Sequence, residues 1–215
     1  MKNLFLSLLA FTLLANCAQT LPTKSLEGVK SVAVANSVQD FRRFHQGITA
    51  FDSVVRDEKI PELDQALVSS VEQALKSRFQ VRQATVPAVY LKRRTIYTMG
   101  TVYPAVAGVD AVMVIKPALL GTSEPAIAMQ GYGVQTARIG SGASSFANLE
   151  LELVDASNGA ILKTWIYSGG EPIAGVDWRS EWSAYTPAEK AAIIRSLKSL
   201  FEKTGMRLAE KMAAP

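Results

Sequence analysis

Apolar positions recur along the chain with different periods, and each period predicts a different element. From Pro61 onward, Leu63, Leu67, Val71, Leu75 and Phe79 fall at every fourth position, flanked by Ala66 and Ala74, with Glu62, Gln65, Glu72 and Lys76 on the other side. A stripe of that spacing predicts an amphipathic helix with one buried face. Thr186-Pro187-Ala188-Glu189 combines an N-cap threonine, a proline at the first helical position and an acid three residues after the threonine. That combination predicts a second helix, running to about Lys211, with Ile194, Leu197, Phe201, Leu208 and Met212 on its apolar side. Two short runs, Val29–Asn36 and Val109–Ile115, are rich in valine and apolar on both faces, which predicts central strands covered from both sides. Further on, Leu149, Leu151 and Leu153 alternate with Asn148, Glu150 and Glu152; after Asp155-Ala156-Ser157-Asn158-Gly159, Leu162, Thr164 and Ile166 alternate with Lys163, Trp165 and Tyr167. This is the pattern of an antiparallel hairpin with a glycine-ended turn, one face buried and the other at least partly wet.

The remaining segments are less regular. Phe79 to Thr85 predicts a short strand, and Pro87 to Tyr97 a helical or irregular connection carrying Lys92-Arg93-Arg94. Ser37 to Lys59 and Gly169 to Tyr185 lack either period and are expected to be long loops. No fixed repeat, low-complexity tract or linker divides the chain. The expected fold is therefore a single α/β domain, with α+β as the neighbouring description: a mixed sheet ending in an antiparallel hairpin, with helices packed on it.

Composition narrows the chemistry. The 215 residues are 48% hydrophobic and 20% charged, enough for a well-packed core. Lys and Arg exceed Asp and Glu by 23 to 19, a scattered net +4 that predicts no nucleic-acid surface. With one cysteine, Cys17, and one histidine, His45, the chain cannot build a disulfide framework or a Cys/His metal site, and no metal or cofactor is expected. Gly-x-Ser-x-Gly, Ser-x-x-Lys and Gly-Lys-Ser/Thr are all absent, and the pairs Gly131-x-Gly133 and Gly140-x-Gly142 lie far from the first strand–helix junction. Glu150 with Glu152, or Asp177 with Glu181, can be drawn as acid/base pairs. Carboxylates on a hairpin face or in a loop are expected in water instead, and His45 is expected to be a surface or packing residue. The chain is accordingly expected not to be an enzyme, with a periplasmic enzyme of unknown reaction as an alternative.

The N-terminus carries an address. Lys2, the apolar run Leu4 to Leu14, and the small residues Ala15 and Ala18 form the three parts of a signal peptide. The run is shorter than the roughly 20 residues needed to span a bilayer. Leu14-Ala15-Asn16-Cys17 resembles the lipobox of bacterial lipoproteins, which implies that Cys17 takes acyl chains such as palmitate and becomes the first mature residue. The predicted boundaries are a signal peptide at 1–16, a lipid-attached linker at 17–28 and one domain at 29–215. Asn16 departs from the usual small residue, so cleavage near Ala18, giving a soluble periplasmic or secreted product, is the alternative. Ala18 after the cysteine implies, by the same resemblance, an outer-membrane anchor facing the periplasm.

The order of elements, the strand start Gly108-Val109-Asp110-Ala111-Val112 and the turn from Asp155 to Gly159 resemble periplasmic lipoproteins of the curli-secretion type. They are similar also to the N-terminal domain of the Tol–Pal propeller protein and to lipoprotein activators of peptidoglycan synthases. The resemblance implies a non-catalytic domain working by protein–protein contact in the envelope. Its partners would be the membrane, through the lipid anchor, and an envelope protein, with self-association allowed and no nucleic acid. A secretion-pore subunit, with Ile127, Met129, Gly131, Gly133 and Gln135 to Ile139 in a membrane-crossing hairpin, is the other alternative. Aromatic and arginine side chains dominate interface energetics, so Phe41, Arg42, Phe44, Trp178, Arg179 and Trp182 in the two predicted loops are the candidate partner-binding residues.

Overall fold

In the computed structural model, which describes residues 26–38, 40–45, 53–92, 102–118, 128–136 and 142–213, eight strands and two α-helices follow one another. They are β1 (Ser31–Asn36), β2 (Phe41–His45), β3 (Val54–Glu58), α1 (Pro61–Leu75), β4 (Gln80–Val81), β5 (Ala111–Pro117), β6 (Gly131–Thr136), β7 (Gly142–Asp155), β8 (Ile161–Asp177) and α2 (Pro187–Ala213). The two doubly apolar runs pair in parallel, Val32 opposite Ala111 through Asn36 opposite Ile115. Asp110 pins their starts together by accepting the backbone N–H groups of Lys30 and Ser31 and the Ser31 hydroxyl, all within 3.0 Å.

The long hairpin β7–β8 is the spine of the fold. One edge of β7 is covered along its length by β8. The other edge is shared end to end: residues 144–148 pair with β6 and residues 149–155 pair with β5. Two three-stranded groups, β3-β2-β6 and β5-β1-β4, thus join through one strand, and the whole is a single curled mixed sheet with two helices packed on it. At the seam, the Asn148 amide donates to the Met129 carbonyl and accepts from Ser168, while its backbone carbonyl takes the Ala118 N–H. Backbone groups left over where β5 stops and β6 starts are satisfied there rather than orphaned.

Both helices cover the same face. Leu63, Leu67, Val71 and Leu75 of α1 join Leu197, Leu200, Phe201 and Leu208 of α2 in a core completed by Val32, Met113, Leu151 and Trp165. The capping box at the start of α2 forms as the spacing predicts: Thr186 N–H donates to Glu189 at 2.7 Å and Glu189 N–H to the Thr186 hydroxyl at 3.2 Å. Tyr90, Tyr103 and Val106 cover part of the opposite face, over Val112, Val114 and Val154.

Four expectations are corrected. Ser37 to Lys59 is not a long loop, because β2 and β3 pair there in an antiparallel ladder and β2 also pairs in parallel with β6. No apolar alternation announced β2, since arginines at two of its five positions are buried by ion pairs: Arg42 with Asp57 at 2.7 Å and Arg43 with Glu58 at 3.3 Å. The segment from Gly169 likewise continues as strand to Asp177. The face of β7 expected to be wet is dry: Asn148, Glu150 and Glu152 are all buried. Gly131, Gly133 and Gln135, drawn above into a membrane-crossing hairpin, lie in the six-residue β6 with strands on both sides. Ile127, residues 137–141, Arg93 and Arg94 fall outside the described residues.

Candidate functional site

Strand β2 sends alternate side chains to opposite faces. Phe41, opposite Tyr132, and Arg43, opposite Val134, face the helix side, and His45 follows in the same phase. Over them lies the segment from Trp178 to Tyr185. Phe41 meets the edge of Trp182 with ring centroids 5.2 Å apart, Trp182 leans on Tyr185 at 5.6 Å, and His45 packs on Trp178 at 5.1 Å. Arg43 donates through Nη1 to the Ser180 carbonyl. Arg179 is fixed at both ends: its N–H donates to the Tyr185 hydroxyl at 2.9 Å and its guanidinium to Glu189 at 3.2 Å. Lys190 lies 5.5 Å over the Trp182 ring. Trp178, Arg179 and Trp182 are each partly exposed, between the exposed residues Ser180, Glu181 and Ser183.

Four of the six predicted partner-binding residues, Phe41, Trp178, Arg179 and Trp182, are therefore brought together. Arg42 and Phe44 are not, because they point to the other face. Phe41 and Phe44 are both 0% exposed, so neither is a surface anchor. Arg42 is committed to a bidentate clamp on Asp57, 2.7 Å on both arms, and to the Ala128 carbonyl. The correction has one cause: exposure was inferred for a loop, and a strand inside a sheet buries alternate side chains on both sides. Cys17 lies outside the described residues. Arg43 and His45 belong to the site and were not predicted; the i, i+2 spacing Phe41-Arg43-His45 would point to them once β2 is known to be a strand.

The electrostatics of the cluster are unbalanced. Arg43 Nε, His45 Nδ1, Trp178 Nε1 and Arg179 Nε are buried without a hydrogen-bond partner, four of the five such side-chain atoms among the described residues. A buried polar group left unpaired costs about 1–3 kcal/mol. Burial raises the Tyr185 phenol above its usual range, while the Thr186 backbone and hydroxyl hold Glu189 below the usual carboxylate range. The unpaired N–H groups of Arg43, Trp178 and Arg179 beside half-exposed aromatic rings suit a ligand or partner that supplies acceptors.

A second polar cluster lies on the opposite face, at the carboxylates expected in water. Glu152 takes an ion pair from Lys116 at 2.5 Å and a hydrogen bond from Tyr103 at 2.8 Å. Tyr103 stacks on Tyr90 at 4.6 Å and lies 5.0 Å from Lys116. Burial alone would raise the Glu152 carboxyl, but its hydrogen bonds with Lys116, Glu150 and Tyr103 outweigh it and hold the group below its ordinary value. A general acid needs the reverse shift. The cluster clamps β5, β7 and the segment at 102–106 together. Among the described residues no three His, Cys, Asp or Glu side chains group to hold a metal ion.

No protein-family model and no curated protein matches the chain. Solved structures with partial likeness include a Xanthomonas campestris protein of family DUF330, 12% identical, covering 84% of this chain and 81% of that one at a TM-score of 0.43. Lipoprotein GNA1162 of Neisseria meningitidis is 14% identical, with 86% and 98% covered and a TM-score of 0.36. The PelC dodecamer of Paraburkholderia phytofirmans is 16% identical, with 87% and 91% covered and a TM-score of 0.34. They do not confirm the curli-secretion or Tol–Pal resemblance, and no residue role is carried over from them.

Proposed function

We propose that this chain is a lipid-anchored envelope protein, facing the periplasm from the outer membrane, that works by contact with a protein partner rather than by catalysis. The contact surface is the ledge of Trp178, Arg179 and Trp182 above Arg43 and His45. The observation that carries the reading is the four unpaired polar atoms, three of them the N–H donors of Arg43, Trp178 and Arg179, gathered under three half-exposed side chains, an arrangement that lowers the stability of the isolated chain and favours an acceptor-bearing partner. The signal peptide and Cys17 supply the address, and anchoring raises the effective concentration the partner meets.

The ledge also packs on Phe41 and Tyr185, so truncating its tryptophans would disturb the fold together with any contact. A photo-crosslinking residue at exposed Ser180 or Ser183 avoids that ambiguity. One discrete protein adduct from either position in cells, absent when the probe is at exposed Lys198 of α2, is the expected result. Equal labelling at all three, or none at any, overturns the assignment.

A further inference from the structure

Trp165 holds the fifth unpaired polar atom. Its side chain is 6% exposed, its indole N–H has no acceptor, and it lines a cavity of about 290 Å³ between β8 and the C-terminal half of α2. The apolar walls are Leu151, Trp165, Tyr167 and Leu208, with Arg207 and Lys211 at the rim. Arg207 lies 5.2 Å over the Tyr167 ring and Lys163 lies 5.7 Å over the Trp165 ring. Among the described residues none of these three cations has an ion-pair partner, and Glu210 is the one acid in the lining.

Each feature selects for something. Two aromatic rings and two leucines take an apolar body. Two lining cations against one acid, with Lys163 outside the lining but over the Trp165 ring, select for negative charge. A buried donor with nothing to donate to selects for an acceptor. The volume is near the lower end of ligand pockets, about 300–1,000 Å³, which limits the body to a small one. We infer that this cavity binds a small single-chain carboxylate amphiphile, with its chain on Trp165, Tyr167 and the leucines and its head group among Lys163, Arg207 and Lys211. The site lies apart from the Trp178–Trp182 ledge and does not depend on the function proposed for it.

The three indole N–H signals of Trp165, Trp178 and Trp182 report separately by nuclear magnetic resonance, and Trp165→Phe assigns the first. Titrating the mature chain with decanoate should move the Trp165 signal saturably and leave the other two in place. Decanol, with the same chain and no charge, should bind at least about tenfold more weakly. Arg207→Ala combined with Lys211→Ala should weaken decanoate by about tenfold or more. Both side chains are exposed, so the melting temperature should hold, and Lys163→Ala provides a second variant with the same expected direction. The inference is overturned if decanoate leaves Trp165 unmoved up to about 1 mM, if all three indoles move together, if decanol binds equally well, or if a folded cation variant keeps full affinity.

Discussion

Glu152 is a charge kept ionised in the interior, and its surroundings state the terms. Lys116 at 2.5 Å, the neighbouring Glu150 and the Tyr103 hydroxyl at 2.8 Å hold its carboxyl below the ordinary range although burial pushes the other way. Its folded pKa is thus below the unfolded value of about 4.3. The associated stability is present above that value and lost as pH falls through the depressed one. Glu152→Gln should cost about 3 kcal/mol at pH 7, since it leaves the Lys116 ammonium short of a counter-charge. Urea unfolding of both proteins as a function of pH checks this: the gap should narrow on acidification, and a gap that does not change with pH would mean that packing, not charge, is what Glu152 contributes.

At the scale of elements, the contact between the two helices carries the most specific expectation. Gly205 sits in the middle of α2, where intrinsic preference favours alanine by about 1 kcal/mol. A Cβ there would lie 2.7 Å from the Ser70 carbonyl oxygen of α1, and Ser70 itself donates to the Phe201 carbonyl across the contact at 2.7 Å. Backbone cannot yield as a side-chain tip can, so Gly205→Ala should destabilise by about 1–3 kcal/mol despite its better propensity. A rise in stability would show that the helices have room to separate. The stripe on α1 makes the companion expectation. Leu67→Ala and Val71→Ala, at positions that are 0% exposed, should cost about 2–4 kcal/mol, and Glu72→Ala on the polar side should stay within about 0.5 kcal/mol. Chemical denaturation of the three variants distinguishes this phase of the helix from any other, because a rotated helix would make the losses equal.

For the whole molecule, what matters is where the sheet is held. The proposed anchor, Cys17, lies far ahead of the β7–β8 spine in the sequence, and the proposed ledge is carried by the connection between β8 and α2. Cys17→Ser should move the protein from the membrane fraction to the soluble periplasm and abolish any acyl mass increment on the mature chain. Unchanged fractionation with no such increment would rule out the anchor.

How much of this was legible along the chain depends on the range over which each signal acts. The helix stripe from Leu63 to Leu75, the Thr186–Glu189 capping box and the Asp155–Gly159 turn are encoded within a few residues of one another and form as read, while Phe79, read as the end of the stripe, lies past the end of α1. Gly159 adopts the left-handed φ of +75° that the turn requires. The doubly apolar runs at β1 and β5 announced their central place because a strand covered on both faces must be apolar on both. Strand β2 was hidden, since its buried arginines find Asp57 and Glu58 on a strand the local pattern did not show. Glu150 and Glu152 read as wet for the same reason: whether a carboxylate on a strand faces water is settled by what covers it, here Lys116 and Tyr103 from elsewhere in the chain. Local spacing by itself determined the two helices, the central strands β1 and β5, the β7–β8 hairpin and the class of fold. Only the tertiary structure decided which charges are buried, which of the six candidate residues meet, and which donors are left without acceptors, because each of those depends on a partner distant in sequence.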